Sequence, residues 1–256
     1  MNIALITATI IGALIIGLSL GLLGAGGSIL TVPVLVYAIA LEEKAAIASA
    51  MFIVGAISIF SATKKHQQSP ISFSTVFLFA LSSSPGAVVG SYIATYLSGD
   101  VQLVMLSIVM VFAGIRMLSG SSLQHKASQV NRKRLFIIGS SLGLLTGVVG
   151  IGGGFLIVPA LTLYAGIAMS QAVTMSLFII TLNCVTGFIS YSFMEPNLNI
   201  PWLIVFAFAL VGIAGSVFGS LIFNRLSQKT TKSIFAYALI IGAVTMGAGE
   251  VWQLLS

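Results

Sequence analysis

The chain has 256 residues, 58% of them hydrophobic and only 6% charged, with eleven Lys and Arg against five Asp and Glu. A water-soluble domain carries about 25% charged residues, so the composition excludes one. The formal charge of +6 fits basic loops flanking membrane segments better than a nucleic-acid surface, and no nucleic-acid partner is expected.

In chain order the apolar segments are 3–23, 29–41, 45–62, 71–97 and 101–118. After a polar stretch at 119–134 come 135–149, 155–167, 171–193, 202–224 and 233–255. Most are long and apolar enough to read as membrane-spanning helices. The first has no basic residue ahead of it and runs on into glycine, so it reads as a membrane segment and not as a cleaved signal peptide. Segments 29–41 and 155–167 are short, 13 residues each. That is about 20 Å of helix against a hydrocarbon core of about 30 Å, so they read as half-helices. Each follows a glycine-rich stretch, LLGAGGSILTVPVLVY at 22–37 and VGIGGGFLIVPALTLY at 149–164. Cys184 is the only cysteine, which excludes an intrachain disulfide or a cysteine metal cluster.

A shift of 126 places Gly17, Gly21, Gly24, Gly26, Gly27 and Pro33 on Gly143, Gly147, Gly150, Gly152, Gly153 and Pro159. GAVVGS at 86–91 matches GSVFGS at 215–220 at a shift of 129. The chain therefore reads as an internal repeat: a first transmembrane repeat at 1–118, a cytoplasmic linker at 119–134 and a second repeat at 135–256.

Charge chooses the topology. If each glycine stretch lay inside one spanning helix, the eleven basic residues would divide seven to four between the two sides. If the chain turns back at each stretch as a hairpin, ten basic residues share one side and only Lys44 joins the five acids on the other. The second division satisfies the positive-inside rule far better. The basic side is then the cytoplasm, Trp202, Trp252, Tyr96 and Tyr191 fall at the opposite interface, and both termini lie outside. A hairpin plus three spans crosses an odd number of times, so the halves have opposite orientations. The expected fold is an all-α polytopic membrane protein in the cytoplasmic membrane. It is an inverted repeat whose halves are each a glycine-tipped helical hairpin plus three transmembrane helices, eight to ten membrane segments in all. Secondary transporters use this arrangement.

The tips suggest the chemistry. A helix that starts inside the protein presents amides with no intrahelical partner and a partial positive charge, and glycine lets a ligand approach them. Two such tips near the middle of the membrane would hold a small anion without a basic side chain, and in this topology every charged side chain sits at or near a membrane surface. The candidate substrate-binding residues are Gly24, Gly26, Gly27, Ser28, Ser49, Gly150, Gly152, Gly153, Gly154, Ser176 and Asn183, with Pro33 and Pro159 kinking the short helices. Thr31, Thr174 and Thr181 are further hydroxyls in apolar runs, although such hydroxyls mostly bond their own backbone. Gly17, Gly21, Gly86, Gly90, Gly139, Gly143, Gly215 and Gly219 stand at four-residue spacing and read as helix-packing positions. His66 and His125 read as solvated loop residues. No metal and no cofactor is expected.

At GLLGAGGSILTVP and GVVGIGGGFLIVP the sequence resembles the sulfite exporter TauE/SafE family, whose mark is a duplicated glycine-rich signature ending in proline. The resemblance spans nearly the whole chain. It implies about eight membrane segments and a substrate among sulfite, sulfonates, other small sulfur-containing anions and organic acids. Many members carry an alanine followed by a Thr-Ser-Leu turn after the signature. Here the stretches read AIASAM (46–51) and AVTMSL (172–177), and only Ser49 and Ser176 keep a hydroxyl. The function expected is transport of a small anion by alternating access, one half rocking against the other. An anion channel is the nearest rival. A membrane-embedded enzyme would need a buried nucleophile–base pair or metal site, which these residues do not offer.

Overall fold

A computed structural model of the protein describes residues 3–24, 27, 31–32, 34–68, 71–94, 96, 99–119, 132–149, 154–194 and 199–255. In chain order the helices are α1 (Ile3–Leu23), a π-helical turn at Val34–Ala38, α2 (Glu43–Gln68), α3 (Phe73–Ala94) and α4 (Gly99–Ser119). Then follow α5 (Arg132–Val149), α6 (Gly154–Leu163), α7 (Met169–Met194), α8 (Trp202–Arg225) and α9 (Gln228–Leu255). No strand occurs among the described residues. Four stretches among the described residues are long and apolar enough to cross a membrane: Ala45–Gln67, Phe73–Gly90, Met169–Ile189 and Trp202–Ile222. They form two repeat-related pairs. Large apolar side chains cover the exterior, Leu203 (80% exposed), Leu81 (74%) and Leu210 (68%) among them. That surface suits lipid and would not be stable in water.

The helices cluster into two compact units that do not follow the repeat boundaries. One comprises Met1–Ile71 with Val173–Leu226, the other Ser72–Ala172 with Ser227–Ser256. Each unit contains helices from both repeats.

In the first unit α1 lies against α8. A methyl group added at Gly17 would overlap the Gly212 carbonyl, one at Gly21 the Ser216 carbonyl, and one at Gly219 the Leu18 carbonyl. In the second unit α5 lies against α3 in the same way. Gly143 abuts the Ser83 carbonyl, Gly86 the Ser140 carbonyl, and Gly139 the Ser82 hydroxyl. The contact positions correspond under the two sequence shifts: Gly17 and Gly143, Gly212 and Ser83, Gly215 and Gly86. Backbone-to-backbone approach this close needs glycine, and the four-residue spacing puts the glycines on one face of each helix. Ser140 Oγ adds a hydrogen bond to the Ser82 carbonyl at 3.0 Å. The second unit also packs α4 on α9, where a methyl at Gly114 would lie 2.7 Å from Ile240 Cγ1.

The repeat also shows in how the short segments end. Ile39 N–H donates to the Val34 carbonyl (3.2 Å) and Leu41 N–H to the Leu35 carbonyl (3.0 Å). At a shift of 126, Ala165 N–H donates to Ala160 (3.2 Å) and Ile167 N–H to Leu161 (3.0 Å). Ala40 and Gly166 occupy the left-handed region, at φ 58° and 68°. Both segments thus close with one widened cap of the αL type.

The Lys65 side chain is buried, 3% exposed. One sequence expectation is corrected here. His66 was read as a loop residue, but α2 runs through Gln68. His66 is half-buried, and its Nδ1 accepts the Ile71 N–H at 3.3 Å. The apolar run stops near residue 62, but the helical hydrogen-bond ladder does not.

Candidate functional site

The first glycine-rich stretch begins where α1 stops. Gly24 takes φ 74° and donates its N–H to the Leu20 carbonyl at 2.9 Å, the arrangement of a glycine C-cap. A methyl added there would lie 2.7 Å from Val173 Cγ1 and 3.0 Å from Ser176 Oγ, in addition to the φ strain. Ser176 Oγ bonds the Gly24 carbonyl at 3.0 Å and its own Val173 carbonyl at 2.8 Å. Gly24 therefore shapes the turn, and Ser176 ties α7 to it.

The returning arm folds back along α1. A methyl at Gly27 would lie 2.5 Å from the Ile16 carbonyl, and a methyl at Gly12 would lie 2.7 Å from Val34 Cγ1. Thr31 Oγ1 back-bonds to the Gly27 carbonyl at 2.9 Å. Gly26, Ser28 and Pro33 lie outside the described residues, as do Gly150, Gly152 and Gly153.

In the second repeat Gly154 opens α6, a ten-residue helix. Its body is buried: Leu156 and Ile157 are each 4% exposed, and Val158 and Leu161 fully covered. Pro159 sits inside this helix, where it leaves the carbonyl four residues back without its usual donor.

The remaining candidates lie elsewhere in the first unit. There α1, α2 and α8 run parallel: Gly12, Gly17 and Gly21 of α1 meet Phe208, Gly212 and Ser216 in order, and Phe52 and Ile57 of α2 meet Phe206 and Gly212 in order. The Phe52 ring packs edge-on against Trp202 (5.4 Å) and Phe206 (5.5 Å) at the start of α8. Ser49, one turn before Phe52, therefore lies toward the opposite end of α2 from the Gly24 turn. It is fully buried, and its hydroxyl has no hydrogen-bond partner among the described residues. Asn183 is half-buried and two turns along α7 from Ser176. Its neighbour Cys184 faces Gly55, where a methyl would lie 3.2 Å from Cys184 Cβ. Thr181 back-bonds to the Leu177 carbonyl at 2.8 Å. Gly24 and Ser176 are thus in contact, while Ser49 and Asn183 lie at other depths. α1 has 21 residues, about 32 Å at 1.5 Å per residue, before the Gly24 turn. The burial of Lys65 was not legible in the sequence. A pair of lysines ending an apolar run is an ordinary interfacial pattern, and nothing in it distinguishes the buried member.

The sequence model of the sulfite exporter TauE/SafE family matches residues 9–246. A probable membrane transporter protein of Xylella fastidiosa (strain 9a5c) is 30% identical over 253 residues, covering 96% of this chain and 95% of its own. The probable membrane transporter protein YunE of Bacillus subtilis is 26% identical and covers 89% of this chain and 92% of its own length. A probable membrane transporter protein of Haemophilus influenzae is 26% identical, with coverage of 93% and 96%. No solved structure gives a significant match. The family match over nearly the whole chain, on an all-helical fold with an apolar exterior, shows that this multi-pass membrane transporter belongs to the sulfite exporter TauE/SafE family.

Proposed function

We propose that the protein is a secondary transporter that carries a small anion, sulfite, a sulfonate or a related sulfur-containing or organic anion, across the cytoplasmic membrane by alternating access. The observation that carries the anion class is α6: a ten-residue helix that starts at Gly154 and is buried from Leu156 to Leu161. Its first amides have no acceptor within the helix, and its dipole turns a positive end toward whatever occupies that space. The residues that precede it in the sequence, Gly150, Gly152 and Gly153, have no side chain to keep an oxyanion from those amides. The sulfur assignment is supported by the family and its description as sulfite exporters.

The ten-to-one division of basic residues supports the inverted orientation, with the basic loops in the cytoplasm and both termini outside. Cysteines placed at Asp100 and Gln228 should then react with impermeant maleimide from opposite faces of the membrane. Labelling from one face would make the two repeats parallel.

The function is tested by sulfite flux into proteoliposomes, with a taurine-like sulfonate and acetate as competitors. Saturable flux competed by the sulfonate is expected. Flux that grows linearly with concentration and follows the membrane potential would make the protein a channel. Gly24→Val should abolish flux, because it strains the turn and collides with Val173 and Ser176.

A further inference from the structure

Serines in membrane helices usually bond a carbonyl one turn back. Ser61 does so to Ile57 and Ser216 to Ile213, both at 2.8 Å. Ser58 does not. It is fully buried in α2, and its hydroxyl has no hydrogen-bond partner among the described residues. A buried hydroxyl left unpaired is destabilising, so its position needs a reason.

The contacts between α2 and α7, within the first unit, show what Ser58 faces. Phe52 packs on Phe188 with ring centroids 6.0 Å apart. A methyl added at Gly187 would lie 3.2 Å from Met51 Sδ, and one at Gly55 would lie 3.2 Å from Cys184 Cβ. Further on, the His66 ring meets the Phe178 ring at 6.2 Å. Residue numbers rise along α2 as they fall along α7, so the two helices are antiparallel. Ser58 stands one helical turn after Gly55 and two after Met51, on the face of α2 that meets α7. Thr181 stands one turn before Cys184 and two before Phe188, on the face of α7 that meets α2. The antiparallel register therefore sets Ser58 opposite Thr181.

The sequence repeat points to the same pair. A shift of 126 carries Gly55 onto Thr181 and Ser58 onto Cys184. The contact between Gly55 and Cys184 and the pairing of Ser58 with Thr181 thus exchange with one another under the repeat. All four side chains are small, and they lie near the middle of two 26-residue helices. Aromatic contacts flank this layer along α2, Phe52 on Phe188 about 9 Å to one side and His66 on Phe178 about 12 Å to the other, at 1.5 Å per residue. Thr181 Oγ1 donates to its own Leu177 carbonyl at 2.8 Å. A threonine hydroxyl rotates, so it can exchange that local bond for one to a ligand.

We infer that the Ser58 and Thr181 hydroxyls form a binding station for the substrate oxyanion between α2 and α7, near the middle of both helices. The inference rests on the anion reading above and adds to it a site made of side-chain hydroxyls. Ser58 supplies an O–H that no described residue accepts, and an oxyanion presents several acceptor oxygens to it. Neutral donors hold an ion without a fixed opposite charge, loosely enough for a transported ion to leave again.

The test uses the purified full chain as wild type, Ser58→Ala, Thr181→Val, the double variant and the control Ser61→Ala. Sulfite is the probe in proteoliposome flux, and sulfite, sulfate, phosphate and acetate are probes of thermal stabilisation in detergent. Ser58→Ala and Thr181→Val should each raise the half-saturating sulfite concentration roughly fivefold or more and shrink the sulfite-induced rise in melting temperature. The double variant should show less than the product of the two effects, because both hydroxyls hold one ion. Without anion, Ser58→Ala should melt no lower than wild type, since it removes a hydroxyl that has no partner. A merely structural serine would show the reverse, a lower melting temperature with unchanged half-saturation. Ser61→Ala should keep wild-type half-saturation. If Ser58→Ala does not yield monodisperse protein, Thr181→Val decides. Wild-type half-saturation in either single variant, alongside loss of flux in Gly24→Val, would overturn the inference and leave the anion reading standing. A wild-type protein that neither moves sulfite nor is stabilised by any of the four anions would overturn the anion reading, and this inference with it.

Discussion

Ala40 and Gly166 perform the same backbone task with different side chains. Each sits at positive φ in the widened cap that ends a short membrane segment. An L-residue pays about 1 kcal/mol or more for that conformation, and glycine does not. Ala40 is exposed, so its methyl group contributes little packing to offset the strain. Ala40→Gly should therefore stabilise the protein by about 0.5–1 kcal/mol, the gain being trimmed by the greater freedom of glycine in the unfolded chain. Gly166→Ala should destabilise it by about 1 kcal/mol. Thermal unfolding in one detergent, with wild type alongside, measures both, and a lower midpoint for Ala40→Gly would count against the αL cap. Neither position was legible in the sequence as a cap. Alanine gives no turn signal, and the pairing of residue 40 with 166 becomes informative only once the hydrogen bonds are seen. The glycine pairs that pack helices were legible, because four-residue spacing of the smallest residue has few other uses in an apolar helix.

At the scale of elements, the apolar runs located the helices well and their polar ends poorly. The run at 3–23 coincides with α1, and that at 202–224 falls one residue short of α8. The run at 45–62 stops six residues before α2 does, and α9 begins five residues before its apolar run at 233. Ser227 explains the second case. Its hydroxyl accepts the Thr230 N–H at 3.1 Å and caps α9, so the helix starts in polar sequence. Lipid demands apolarity of the exterior and packing demands it of the interior, so neither apolar content nor its period says which face of a helix is buried. This is why the burial of Lys65 could not be read from the sequence. Ser176 was legible as a polar residue in a greasy run. Its partner, the Gly24 carbonyl, lies 152 residues away in the chain and could not be inferred from one sequence.

At the scale of the whole molecule, the compact units cut across the sequence halves. α1 belongs to the first repeat and α8 to the second, yet Gly17, Gly21 and Gly219 bring their backbones into direct contact inside one unit. A motion that rocked one sequence half against the other would have to part this glycine-lined seam and the equivalent seam between α3 and α5. Close-packed interfaces hold discrete arrangements and do not stretch, so the moving bodies of alternating access should be the units. Cross-linking discriminates between these motions. In a Cys184→Ala background, cysteines replacing Leu18 on α1 and Ala214 on α8 lie at exposed positions flanking the seam. A short membrane-permeant bifunctional thiol reagent should join them and leave sulfite flux within about twofold of the uncross-linked double variant, since it ties together parts that move as one. Loss of flux on cross-linking, restored when a cleavable linker is cut, would show that α1 and α8 separate during transport and that the sequence halves are the moving bodies.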